Sequence, residues 1–280
     1  MTSLFKSILV PLDGSDQAER VLPWVRKHAK SSRSEVILLQ VLRLVYPMEG
    51  LPFPKGAEEA RGYLLRIERQ FNFDGIPTKI TLGGNSVSRA IVETARSEQC
   101  DLIALTTGHT SKTIRWLLGG IAEQVLRLSP ITVFVLRNGI VDRMRVQPRT
   151  ITVPLDGSSH SRSVLPIAEK LARFHRARLV LVHVLDSGRT PRSGKSRKPD
   201  SLKRISRICA GLNARGIRTV VRVETGDPAA RIISSVLPSD LLAITTHGRG
   251  GIKRLLLGSV AERVVQQASC PVLVYKEARG

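Results

Sequence analysis

Two hexapeptides with one spelling, VPLDGS at 10–15 and at 153–158, set an aspartate, a glycine and a serine in a row after an apolar run. At the end of a strand, such a carboxylate could meet a ligand, although Asp and Ser there also serve simply to cap the next helix. The second candidate group is TTHGRGGIKRLLLGS, 245–259, in which Gly248, Gly250 and Gly251 precede a helical pattern and Gly258 and Ser259 follow. Glycines let backbone N–H groups approach a phosphate closely, and a following helix N-terminus adds a favourable dipole. The plainer reading is a flexible loop. Other phosphate and catalytic signatures are missing: there is no GxxxxGK[ST], no GxGxxG after the first strand and no GxSxG elbow. The six histidines share no metal-ligand spacing, and His183 reads as a core or sheet-edge residue. Cys100, Cys209 and Cys270 are scattered without a CxxC pair, so they read as small buried hydrophobes and no metal site is expected.

The elements that position these residues come twice. ILVPLDGSDQAERVLP at 8–23 returns as ITVPLDGSSHSRSVLP at 151–166, identical at 10 of 16 positions. DLIALTTGHTSKTIRWLLGGIAEQV at 101–125 aligns with DLLAITTHGRGGIKRLLLGSVAERV at 240–264, identical at 12 of 25, and residues 84–91 pair more weakly with 226–233. The chain is therefore a duplication, with domains expected at 1–142 and 143–280. Strand-like runs begin at Lys6, Glu35, Thr78, Asp101 and Ile131 in the first copy and at Thr150, Arg178, Arg218, Asp240 and Val272 in the second. Near-continuous apolar strands separated by helical stretches predict an α/β fold of two tandem doubly wound domains, each a five-stranded parallel sheet with helices on both faces. Ser15, Ser158 and Asp227 with Pro228 mark helix starts, and the weakest element is the second helix of the second copy. In such sheets ligands bind outside the carboxyl ends of the strands, where the strand order reverses.

Composition limits the function classes. The chain has 280 residues, 42% hydrophobic and 24% charged, which is globular usage. Its longest apolar runs fall far short of the roughly 20 residues needed to cross a bilayer, and MTSLFKSILVPLDG lacks a secretory h-region, so a cytoplasmic protein is expected. Forty-four Lys and Arg against 23 Asp and Glu give +21, split +6 over 1–146 and +15 over 147–280. That excess attracts polyanions, but aromatics at 4% are too few for single-strand stacking platforms. The segment 188–204 holds seven basic residues and one acid; it reads as a solvated loop or as a basic flap that grips phosphates or recruits a polyanion.

With these motifs in hand, the chain resembles the universal stress proteins in tandem form over essentially its whole length, through VPLDGS, DLIALTTG and DLLAITTHG, GRGGIKRLLLGSVAERV and the closing CPVLVYK. The resemblance implies the adenine nucleotide alpha hydrolase-like fold, pairing through the last strand (between the two copies or in a homodimer), and stress-linked regulation by nucleotide binding without a dedicated catalytic activity. The ATP-binding branch carries Gly, two residues, Gly, nine residues, Gly, then Ser or Thr. The second copy has Thr245 at the first position, then Gly248, Gly258 and Ser259. The nucleotide-binding set implied there is Pro154, Asp156, Val184, Gly248, Arg249, Gly258, Ser259 and Val260, with ATP, and Mg beside it, as cofactor. In the first copy Pro11, Asp13, Val41 and Gly119 match a weaker site, while Thr106, His109 and Gly120 depart from the signature. Slow ATP hydrolysis would have only Arg249 and Arg254 to call on. The alternative is a nucleotide-independent protein whose basic surface docks an acidic partner or nucleic acid.

Overall fold

A computed structural model describes residues 4–42, 56–84, 86–107, 120–137, 146–185, 198–246 and 258–276. The chain divides into two compact units, Met1–Asn138 and Gly139–Gly280; the boundary expected at 142/143 lies outside the described residues. Unit 1 runs β1 (Ser7–Leu12), α1 (Asp16–Glu19), α2 (Leu22–Ser32), β2 (Glu35–Val41), α3 (Ala57–Phe73), β3 (Thr78–Gly83), α4 (Val87–Ser97), β4 (Leu102–Thr107), α5 (Gly120–Leu128) and β5 (Thr132–Arg137). Unit 2 repeats it as β6 (Thr150–Pro154), α6 (Ser159–Arg162), α7 (Leu165–His175), β7 (Arg178–Leu185), α8 (Lys198–Ala214), β8 (Thr219–Thr225), α9 (Pro228–Ser234), β9 (Leu241–Thr245), α10 (Ser259–Gln267) and β10 (Val272–Tyr275).

Within unit 1 the strands lie β3-β2-β1-β4-β5, and within unit 2 β8-β7-β6-β9-β10, with parallel pairing throughout each unit. The chain walks outward from β1 to β3 and then returns to β4 on the other side. Right-handed crossovers made in opposite directions put helices on both faces of the sheet. The expected architecture is thus the observed one. Ile8, Leu9, Leu38, Leu39, Leu102 and Ile103 are fully buried, as a sheet covered on both faces requires. β3 and β8 lie at sheet edges and depart from the continuous apolar pattern: Val220 and Val223 of β8 are 50% and 43% exposed.

One departure from the expected βαβαβαβαβ order recurs in both units, where the first helix is broken in two. Pro23 and Pro166 lack the N–H that would bond the carbonyls of Glu19 and Arg162, so α1 and α6 end there and α2 and α7 begin with proline in the first turn. The strand starts expected at Asp101 and Asp240 come one residue later. Asp101 instead turns its carboxylate on the Lys6 and Ser7 N–H groups at 2.9 and 3.2 Å, and Asp240 accepts from Leu237 N at 2.8 Å. α8 forms in full, with Pro199 harmlessly in its first turn. Cys100 and Cys270 are buried, and burial pushes their thiols up to about 11 and about 12, while Cys209 is half-buried. No helix among the described residues is long and apolar enough to cross a membrane, and none of their side chains group as a metal site.

Candidate functional site

Strand order reverses between β6 and β9 in unit 2, and Pro154, Asp156, Val184, Gly258 and Ser259, singled out from the sequence, lie at that end of the sheet. Pro154 closes β6. Asp156 follows, its Oδ1 accepting the Ser158 N–H at 2.9 Å, and Gly157 takes φ +82, a conformation that favours glycine. Ser158 then caps α6, accepting from Ser161 N at 3.0 Å. The capping role of this motif is therefore real, and it fixes where the Asp156 carboxylate stands. On the other side of the reversal, β9 ends at Thr245. The Thr246 carbonyl accepts the Gly258 N–H at 2.6 Å, which pins the start of α10 beside the end of β9. Val184 stands near the end of β7, the strand beside β6.

Gly258 is the N-cap of α10 at φ −58, ψ 144, a conformation open to any residue, and no side chain caps the helix among the described residues. A serine or aspartate there would satisfy the helix. Glycine leaves the mouth of α10 without a Cβ, and the N–H groups of Ser259, Val260 and Ala261 precede the first intrahelical bond, Glu262 N to Gly258 O at 2.9 Å. Such a helix start leaves N–H groups and the positive end of the helix dipole at the carboxyl edge of the sheet. Gly248 and Arg249, expected to complete the phosphate loop, lie outside the described residues.

Unit 1 has the same frame with different chemistry. Asp13 Oδ1 accepts from Ser15 N and Oγ at 3.0 and 2.6 Å, Gly14 takes φ +85, and Pro11 and Val41 hold the positions of Pro154 and Val184. α5 begins at Gly120, where unit 2 has Ser259, although a Cβ at Gly120 would meet nothing within 4 Å. Gly119 lies outside the described residues. The helix after VPLDGS differs most: α1 reads DQAE and α6 reads SHSR. Asp16 and Glu19 thus stand where unit 2 has Ser159 and Arg162, and the Arg162 guanidinium lies on the motif itself, Nε 3.2 Å from the Ser158 carbonyl. Burial, then the Glu19 charge, pushes the Tyr63 phenol up. Arg162 is missing from the expected site set, although aligning the two repeats against each other exposes the exchange.

His183 also does more than fill the core. It is buried on β7, its Nδ1 2.7 Å from the Leu155 carbonyl and its Nε2 3.1 Å from Ser201 Oγ of α8. A carbonyl only accepts, so Nδ1 carries the proton and Nε2 accepts from the serine. The ring therefore ties the residue before Asp156 to α8. Unit 1 has Gln40 and Ala60 at these places, and Gln40 Oε1 is buried without a partner among the described residues.

Fold and site together define a duplicated, doubly wound α/β protein. The sequence profile of the Universal stress protein family matches residues 4–137 and 148–276, and the chain belongs to that family. It is 24% identical over 287 residues to a universal stress protein of Mycolicibacterium smegmatis, covering 96% of each chain. It is 25% identical over 289 residues to one of Mycobacterium tuberculosis, covering 97% of this chain and 96% of that one. A universal stress protein structure from Archaeoglobus fulgidus superposes with a TM-score of 0.79 at 21% identity, over 99% of this chain and 100% of the other, a likeness of fold.

Proposed function

We propose that the chain is a cytoplasmic regulatory protein that holds one adenine nucleotide, ATP, at the carboxyl edge of unit 2, and that it has no dedicated catalytic step. The observation that carries this reading is the uncapped, glycine-fronted start of α10, fastened to the end of β9 by the bond from Gly258 N to Thr246 O. The residues fit the ligand. Gly258, Ser259 and Val260 offer N–H groups and a hydroxyl to phosphate oxygens, and Asp156, with Pro154 and Val184 beside it, offers a carboxylate to the nucleoside or to a Mg ion that accompanies the phosphates. Arg162 favours the anion, where unit 1 has Asp16 and a Glu19 already paired with Arg66. Gly248 and Arg249 complete the loop by sequence. Bound ATP would act as a regulatory ligand rather than by being consumed. Denaturing the purified full-length chain and analysing the released small molecules by mass spectrometry tests the reading. Release of an adenine nucleotide near one per chain supports it; a nucleotide-free protein that also fails to take up ATP on dialysis contradicts it.

A further inference from the structure

The outer face of α8 carries Lys203, Arg204 and Arg207, all exposed, and no carboxylate among the described residues forms an ion pair with any of them. Lys203 and Arg207 stand one turn apart, a like-charge spacing that destabilises a helix, and they line one shallow groove with Leu202 and Ser206. Asp200, the only acid in α8, makes no ion pair with them. α3 of unit 1 is a control for what this helix needs structurally. It has the same 17-residue length and shares three buried positions, Ala60, Leu64 and Phe71 against Ser201, Ile205 and Leu212. At the places of Lys203, Arg204 and Arg207 it has Gly62, Tyr63 and Arg66, and Arg66 is held by Glu19 at 3.1 Å. The fold therefore works without cations at the first two of these places.

We infer that this face of α8 is a docking surface for the phosphate backbone of duplex DNA, bound without regard to sequence. The chemistry selects that occupant. Three unpaired cations with the Ser206 hydroxyl beside them suit phosphate oxygens. Stacking on single strands needs aromatic side chains, and α8 has none. A membrane-surface helix needs an exposed apolar stripe, whereas Ile205 and Leu212 point into the core. The surface is separate from the nucleotide edge proposed above and stands or falls independently of it.

The test is fluorescence anisotropy of the full-length protein with a labelled 24-base-pair duplex across a salt series. It compares wild type with Lys203→Gln/Arg204→Gln/Arg207→Gln and with a control of equal charge change in unit 1, Lys27→Gln/Arg61→Gln/Arg69→Gln. Glutamine keeps the helix propensity, and matched circular dichroism and unfolding midpoints confirm that each variant is folded. The α8 variant should bind ten- to a hundredfold more weakly at low salt. Its slope of log K against log salt should be shallower by about 2.7, three phosphates at about 0.9 each. The control should match wild type. Equal losses in both variants would reduce the effect to net charge and overturn the proposal. So would an unchanged α8 variant, or a loss seen only with vesicles of anionic lipid.

Discussion

His183 Nδ1 lies 2.7 Å from the Leu155 carbonyl while its Nε2 takes the Ser201 hydroxyl at 3.1 Å, so one buried imidazole fixes the residue that precedes Asp156. His183→Leu removes the imidazole donor from the buried Leu155 carbonyl, at about 1–3 kcal/mol for an unsatisfied buried group, and breaks the bond to Ser201. The variant should therefore lose roughly 1–3 kcal/mol in urea unfolding and weaken nucleotide binding as well. Gln40→Leu in unit 1 removes an oxygen with no partner among the described residues and should cost less than about 0.5 kcal/mol. Equal costs at the two positions would show that the His183 bonds do not hold the loop.

The start of α10 gives a prediction that separates binding from folding. An alanine can adopt the φ −58, ψ 144 of Gly258, so Gly258→Ala should leave the unfolding midpoint close to wild type while the added Cβ crowds the phosphate approach. Ser259→Ala removes a hydroxyl to a charged group, worth about 1.5–3 kcal/mol, so ATP affinity should fall by about one to two orders of magnitude. In unit 1, Gly120 has open space for a side chain, and Gly120→Ser combined with His109→Gly should create measurable ATP affinity there. Isothermal titration of each variant reads all three effects.

Stability should also depend on pH above neutrality. Burial pushes the Lys276 ammonium, just after β10, down to about 8. Between that value and the ordinary lysine range near 10.5, the unfolded chain keeps a proton that the folded chain has released. Lys276 by itself should therefore raise the unfolding free energy with pH across this window, by on the order of 1–3 kcal/mol, while above about pH 9 the buried Cys100 and Cys270 thiols, protonated longer in the folded chain, pull the other way. Lys276→Met should abolish the rise and raise stability at pH 7. A difference in stability between wild type and Lys276→Met that stays constant from about pH 7 to 10 would contradict the shift.

Much of this architecture is written in the sequence because the central strands are buried on both faces. Residues 36–39 and 102–105 are apolar without interruption, which leaves little freedom in placing them. The break between α1 and α2 is legible too, in Pro23, once the missing N–H is counted against Glu19. Val220 and Val223 at an exposed sheet edge are harder to read, because edge position depends on the strand order of the whole unit. At the site, Pro154, Asp156, Gly258 and Ser259 carry their own motif. Arg162 and the His183–Ser201 link do not. The link arises from contacts between a loop, a strand and a helix 18 or more residues apart in sequence, and Arg162 shows only when the two repeats are set side by side.

The claim that unit 2 holds the nucleotide is tested most directly by calorimetric titration of the intact chain with ATP. The predicted result is a stoichiometry near one per chain, abolished by Gly248→Val and preserved in Asp13→Ala. Two equivalent sites, or binding that survives Gly248→Val and disappears in Asp13→Ala, would place the nucleotide in the other half.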